Sequence, residues 1–405
     1  MKSKIFTGTM ALLLALTGGW VTTPAVAMPT DAAFANEAEA KAVAQAKTKK
    51  FKPLDVSGFH DGIEHYQLEQ EDLSYPRYDT GQIVQIAENL ILYQSADGGW
   101  PKNLDWLRVV TVEEAIKEMQ PRLQLGSTLD NRNIQPQIRY LAGVYQQTGL
   151  ARYRAAAEKG IDYIINSQRD SGGWRGADVE AITFNDDVTV GALELLREVA
   201  VGQSPFAWVD TRHRERAQAA TKKGLDCILN TQFKHDGKLT VWGQQHDHQT
   251  LKPSGARKWE LPSLSAWESV GVVEFLMSYD QPEPRVREAV QSAVKWFDDA
   301  KITGLRIERR PLAKPYRVNR RIVAADVVEV KDPAAPPIWA RYYDLKNMKP
   351  MFVQRTGEIL ERFDQIVEER RDGYDWYGYW PAEVLKLKYP AWQKKWATDK
   401  NVLAR

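Results

Sequence analysis

Cysteine is almost missing from this chain of 405 residues, with Cys227 standing alone. No intrachain disulfide can form, and neither a cysteine zinc site nor a thiol nucleophile has a basis. The residue falls inside an apolar helical pattern, which reads as a buried structural thiol. Long apolar runs are also missing. After the N-terminal residues no segment approaches the about 20 apolar positions a spanning helix needs, so no membrane partner is expected. Histidine is scarce, with 6 residues. His246 and His248 are separated by one residue and have no third imidazole nearby, a pattern that suits local hydrogen bonds better than zinc. Finally, no sign of charge dominates, since 55 Lys and Arg face 53 Asp and Glu.

The balanced total hides a local asymmetry. Residues 301–331 hold nine Lys or Arg against three Asp or Glu, centred on Arg309, Arg310, Arg317, Arg320 and Arg321. Such a patch suits either solvent or a polyanion. The N-terminus favours an extracytoplasmic polyanion. Lys2 and Lys4 precede an apolar run through Met10, Leu12, Leu13, Leu14 and Leu16, which closes on Ala25-Val26-Ala27. Residues 1–27 therefore read as a secretory signal peptide, and the expected location is secreted or periplasmic. An exported protein seldom meets nucleic acid, so an acidic polysaccharide is the expected partner and the chain is expected to act as a monomer.

Residues 28–74 read as an N-terminal extension, Ala- and Lys-rich from Ala32 to Lys50, and residues 75–405 as the body. Within the body, helical apolar spacing recurs near 80–95, 133–148, 152–167, 187–200, 212–231, 264–279, 285–300 and 355–370. Strand-like alternation is best at Ile322 to Val330. Two helices repeat each other: Lys159-Gly160, Asp162, Asn166 and Gln168 recur 64 residues later as Lys223-Gly224, Asp226, Asn230 and Gln232. Gln94 leads into Asp97-Gly98-Gly99-Trp100 as Gln168 leads into Ser171-Gly172-Gly173-Trp174. This self-similarity predicts a mainly α fold, an α/α toroid of the (α/α)3 barrel-like kind built from repeated helical hairpins with minor β. The glycines suit tight turns and the Gln and Trp residues suit structural roles.

In such a toroid the inner helices run parallel and their N-termini open on one mouth. Three polar segments lie at those starts: Ser127-Thr128-Leu129-Asp130-Asn131, Phe184-Asn185-Asp186-Asp187, and Arg257 to Pro262. Asp130, Asn131, Asn185, Asp186 and Asp187 offer only hard oxygen and amide groups, a set that suits calcium. The competing expectation is that Asp130 and Asp187 merely cap helices. Arg257, Arg341 and Arg355 suit either bidentate carboxylate binding or surface ion pairing.

The chain resembles the family 10 polysaccharide lyases, which are pectate lyases. The resemblance runs over most of residues 75–380. It rests on QSADGGWPKN (94–103), STLDN (127–131), ITFNDD (182–187), WGQQHDHQTLKPSGAR (242–257) with ELPSLS (260–265), WARYYDL (339–345) and ERRDGYDWYG (369–378). It implies calcium-assisted anti β-elimination of α-1,4-linked polygalacturonate to 4,5-unsaturated oligogalacturonides. It also implies Arg257 as the Brønsted base and Asp130, Asn131 and Asp186 as the calcium environment. By the same resemblance Arg341 and Arg355 look like binders of substrate carboxylates. Lys102 and Asn103 are expected to line the same cleft, and His246 is expected to touch substrate rather than a metal. Trp259 stands where Tyr or Phe is usual in that family.

An arginine base sits uneasily with elementary chemistry, because guanidinium ordinarily stays protonated. It is the resemblance that selects it. Other readings compete. A terpene cyclase shares the helix-bracing repeat but needs an acidic motif that the chain lacks, since no D-x-D-D run occurs. A hydrolase on the same scaffold would set two carboxyl groups across a sugar bond, drafting Glu260, Glu268 or Asp247. A pectin-binding protein without turnover would keep the cleft and lose the base.

Overall fold

The computed structural model describes residues 34–123, 126–318 and 321–404. Residues 1–27, read as a signal peptide, and Arg320 lie outside these residues. The chain opens with helices α1 (Glu37–Lys47), α2 (His60–Leu68), α3 (Ile83–Leu92) and α4 (Val112–Leu123). Helices α5 (Gln135–Thr148), α6 (Ala151–Ser167), α7 (Val188–Val201), α8 (Thr211–Thr231), α9 (Ala266–Met277) and α10 (Pro284–Ala300) follow. A short α11 (Glu368–Asp372) and α12 (Tyr389–Trp396) complete the set. None is long and apolar enough to cross a membrane among the described residues.

Helices α5, α7 and α9 form an inner row, while α3, α6, α8 and α10 form an outer row packed side by side around it. This is the predicted mainly α toroid of hairpins. One continuous apolar core runs between the rows, from Ile83 and Ile86 through Leu141, Ile161, Leu193, Leu196 and Ile228 to Val273 and Val294. Segments before Tyr75 join the same core through Val43, Ala46, Phe59 and Tyr66.

The repeated residues brace the hairpins. Gln94, Gln168 and Gln232 each span two elements, their amides donating to the carbonyls of Ala156, Ala220 and Ala289 at 2.9, 2.8 and 3.0 Å. The indole N–H groups of Trp100, Trp174 and Trp242 donate to Leu90, Ile164 and Ile228 at 2.7 to 2.8 Å. Trp339 makes the same bond to Phe297 at 2.8 Å, a fourth copy hidden from the sequence because its flanking Gln and glycines are missing. The repeated Asp and Asn serve the outer row: Asn166 receives Arg216 and Asn230 receives Arg285, at 2.9 and 3.0 Å.

The glycines of the repeat are held by two constraints at once. Gly172 lies at φ +96°, and a Cβ there would stand 2.3 Å from the Lys223 carbonyl oxygen. Neither the backbone nor the neighbouring helix leaves room. We expect Gly172→Ala to destabilise the protein by about 3 kcal/mol or more. Urea denaturation checks this directly.

Strands are short except for one hairpin, Leu305–Val318 paired antiparallel with Arg321–Lys331. This agrees with the strand expected at 322–330. It also carries the basic patch, where Arg309 and Arg310 are paired to Asp372 and Glu308 at 2.8 Å. The helix expected at 355–370 does not form. Phe352–Val353 turns back on Ile359–Leu360 through Gly357 at φ +91°, and the helical residues are a 3-10 turn at Phe363–Gln365 and the short α-helix Glu368–Asp372. The apolar residues that suggested a helix face a second small core of Val353, Phe363, Ile366 and Trp376 instead.

Candidate active site

The polar segments at the starts of the inner helices converge as their shared mouth requires. Lys102 Nζ binds Asp130 Oδ2, and Asn131 Nδ2 donates to Asn103 Oδ1 at 2.7 Å, so the PKN and LDN segments face each other. Asn185 Nδ2 donates to Asp186 Oδ2 at 2.7 Å. Burial, the facing Asp130 carboxylate and the charges of Asp61 and Glu268 push Asp186 up to about 7. Burial is the larger cause and the like charges add to it, so the ionised Asp186 carboxylate is disfavoured where it stands.

Helix capping does not account for these residues. The residue preceding α5 is Ile134, and Asp187, which precedes α7, makes no side-chain cap bond. Asp187 instead holds Arg132 at 2.9 Å. The backbone is held in the left-handed region at Asn103 (φ 62°), Asn131 (φ 55°), Arg132 (φ 53°), Asp186 (φ 53°) and Asp187 (φ 56°). Left-handed non-glycine residues cost of order 1–3 kcal/mol each and gather where side chains must be aimed.

The cationic half of the cleft is built around one indole. The guanidiniums of Arg257, Arg355 and Arg370 stand 5.3, 5.5 and 5.0 Å from the ring of Trp259. Arg257 Nε donates to Glu260 Oε2 at 2.9 Å and its Nη2 binds Oε1. Burial works against the Arg257 charge, but the Glu260 carboxylate outweighs it and raises the pKa further above the ordinary arginine value. Arg355 is held by Glu369, with bonds of 2.6 and 3.2 Å. Asp130, Thr183, Asn185, Gln244, Arg257 and Glu260 line one small cleft, so the base candidate shares it with one of the two acids and with Asn185, the neighbour of the other.

Arg341 links the two halves. Its Nη2 bonds Asn185 Oδ1 at 3.2 Å and pairs with Glu268, and its guanidinium lies 4.3 Å from the Trp267 ring. Burial opposes its charge, yet Glu268 holds its pKa well above the usual value. A carboxylate ligand at Arg341 therefore has to compete with Glu268.

Arg370 is the residue the sequence reading missed, although it lies inside the ERRDGYDWYG segment. It is 4% exposed, and its Nε and Nη2 have no hydrogen-bond partner among the described residues. Burial, with the charges of Arg355 and Arg257 adding to it, brings its pKa down to about 10. Asp61 and His65 on α2 were missed too. They form an ion pair of 3.0 Å close enough to Asp186 for their charges to act on it. No local motif distinguishes either group; only the fold brings them to the mouth.

His246 is a correction. It is fully buried, its Nδ1 bonds the Leu251 carbonyl and its Nε2 accepts from the Gly243 N–H, both at 2.9 Å. With both ring nitrogens used by backbone and burial lowering its pKa to about 4, it is a neutral structural residue and cannot touch substrate. It pins the strand Gln245–Asp247, which pairs with Ala181–Thr183 and so positions Asn185 and Asp186.

The toroid of helical hairpins thus opens Asp130, Asn185 and Arg257 onto one cleft, with further arginines packed around Trp259 beside Arg257. The profile of the pectic acid lyase family matches residues 94–385. A family 10 polysaccharide lyase from Cellvibrio cellulosa is 28% identical, with a TM-score of 0.63 over 84% of this chain and 98% of that one. An aspartate-to-alanine variant of a family 10 polysaccharide lyase from the same organism, in complex with trigalacturonic acid, matches at 28% identity. Its TM-score is 0.63, over 84% of this chain and 99% of that one. No curated protein sequence matches. The chain belongs to the pectic acid lyase family.

Proposed function

We propose that the protein is a calcium-dependent pectate lyase that cleaves α-1,4-linked polygalacturonate by anti β-elimination, working as a monomer in the periplasm or outside the cell. The observation that carries the reading is the shared cleft of Arg257 with Asp130 and Asn185. The trigalacturonic acid bound by the Cellvibrio variant supports the substrate class.

The donor set fits calcium: the Asp130 and Asp186 carboxylates with the Asn131 and Asn185 amides are all hard ligands, and the mutual repulsion of the two acids calls for a cation. Among the described residues no group of three or more acidic, His or Cys ligands occurs, so a uronate carboxylate is needed to complete such a site. Calcium there would supply Lewis-acid polarisation of that carboxylate, acidifying the adjacent C5 proton. Arg370, Arg355 and Arg341 would hold neighbouring carboxylates along the chain. Arg257 takes the C5 proton, the C5–H electrons form the C4=C5 double bond, and the C4–O bond breaks. The departing oxygen gains a proton from water. Elimination predicts a product lacking the elements of one water relative to the hydrolytic product, and mass spectrometry of a digest distinguishes the two.

The Glu260 contact bears directly on the base. It favours charged Arg257, so replacing it by a neutral isostere lowers the barrier to a neutral guanidine. We expect Glu260→Gln to move the alkaline-rising limb of the pH–rate profile down by about one unit or more. An unmoved limb would mean that Arg257 acts only as a fixed cation.

Arg370 gives a separate test. Its buried charge has no carboxylate partner among the described residues, so Arg370→Met is expected to leave the fold as stable or up to about 1–3 kcal/mol more stable. The same change is expected to raise KM at least tenfold. A thermal melt and a substrate titration together check both halves.

A further inference from the structure

The third copy of the Gln–Trp repeat is longer than the others. Six positions separate Gln94 from Trp100 and Gln168 from Trp174, but ten separate Gln232 from Trp242. In the short copies a glycine closes onto the next outer helix: a Cβ on Gly98 or Gly172 would lie 2.3 Å from the carbonyl of Lys159 or Lys223. Those carbonyls come three residues after Ala156 and Ala220, the acceptors of the repeat glutamines. In the third copy the acceptor is Ala289, and three residues on stands Ser292. No glycine among the described residues covers it. The extra residues rise as a hairpin, Lys234–His235 paired with Lys238–Leu239, and Gly237 at its tip meets nothing within 4 Å.

What the missing closure leaves is a cavity of about 960 Å³, lined in part by Ser292, Ala289 and Trp296. That is within the size range of small-molecule sites, about 300–1,000 Å³. Lys234, Lys238, Arg285, Lys295 and Lys400 line it, against Glu288 and Asp299. Lys295 is bound to Asp299, and Arg285 is shared with Asn230 and Asp226. Lys234, Lys238 and Lys400 have no carboxylate partner among the described residues. Gln232, also in the lining, is 5% exposed and its Oε1 accepts no hydrogen bond among the described residues.

We infer that this cavity is a second, non-catalytic binding site for a short acidic oligosaccharide, separate from the arginine cleft. Free ammonium groups would take the uronate carboxylates. None of the cavity residues lines the cleft of Asp130 and Arg257. Such a site would keep the enzyme on its polymer between cleavages. The choice of ligand rests on the pectate reading above; the cavity itself does not.

The test is calorimetric titration with trigalacturonate, with chelator present so that no turnover occurs, on wild type, Arg370→Met and the double variant Lys234→Glu, Lys238→Glu. The two lysines are exposed on the hairpin, so their exchange leaves the core intact. We expect wild type and Arg370→Met to share one class of site that the double variant weakens about tenfold or more. With calcium restored, the double variant is expected to cleave trigalacturonate within about twofold of wild type, since the lysines lie outside the cleft. A double variant that cleaves polygalacturonate and binds the trimer as wild type does would overturn the second site alone. A wild-type protein that neither cleaves polygalacturonate nor binds the trimer would overturn this inference and the catalytic reading together.

Discussion

Arg257→Ala is expected to lower kcat by about 10²–10⁴, the usual worth of a positioned general base. The substitution also removes the partner of Glu260, a carboxylate 3% exposed. Some loss of stability is therefore expected, about 1–2 kcal/mol, because the arginine side of the pair is itself 44% exposed and partly screened. A rate measurement alone would confuse the two effects. Arg257→Ala combined with Glu260→Gln separates them: stability should return while the rate stays low. Recovery of rate in the double variant would remove Arg257 from the role of base.

The second large effect is at Asp186. Its folded pKa is raised to about 7 from an ordinary 3.8, first by burial and then by Asp130. An acid whose folded pKa is raised destabilises the fold once pH exceeds the unfolded value, and the cost is fully developed above the folded value. Asp186→Asn should therefore raise the thermal midpoint of the metal-free protein at pH 8 and hardly change it below pH 4. Added calcium should stabilise the wild type, by about 2.7 kcal/mol at a hundredfold excess over Kd, and should do much less for the variant. Activity of the variant at ordinary calcium is expected to fall by a factor of about 10² or more, the loss of several kcal/mol of charge stabilisation. Equal calcium stabilisation in both proteins would place the metal elsewhere.

Much of this architecture was legible from local pattern. The Gln–Gly–Trp repeat exposed the toroid because each copy performs one mechanical task, tying a helix end to its outer neighbour. The parallel inner row then placed 130–131, 185–187 and 257–262 at one mouth. Failures came where the deciding contact was distant. Arg370 gains its character from Trp259, Tyr374 and Trp376 packed around it, which no spacing announces. Asp61 and His65 sit before Tyr75, in the stretch read as an extension, yet they act on Asp186. His246 was expected to touch substrate, but the backbone at Gly243 and Leu251 takes both of its nitrogens. The helix expected at 355–370 shared its apolar spacing with a turn, and Gly357 decided the matter.

Trp259 organises the arginines around it. A broad indole touches three guanidiniums at once, at 5.0 to 5.5 Å, and offsets part of their mutual repulsion. Among the described residues Arg370 has no carboxylate partner, while Arg257 and Arg355 have theirs.

The central claim is elimination assisted by calcium with Arg257 as base. It is tested most directly by ultraviolet absorbance during digestion of polygalacturonate, with calcium and then with excess chelator, for wild type and Arg257→Ala. The account predicts absorbance that grows with calcium, stops with chelator and is nearly lost in the variant. Reducing ends released by the wild type without any rise in absorbance would contradict it.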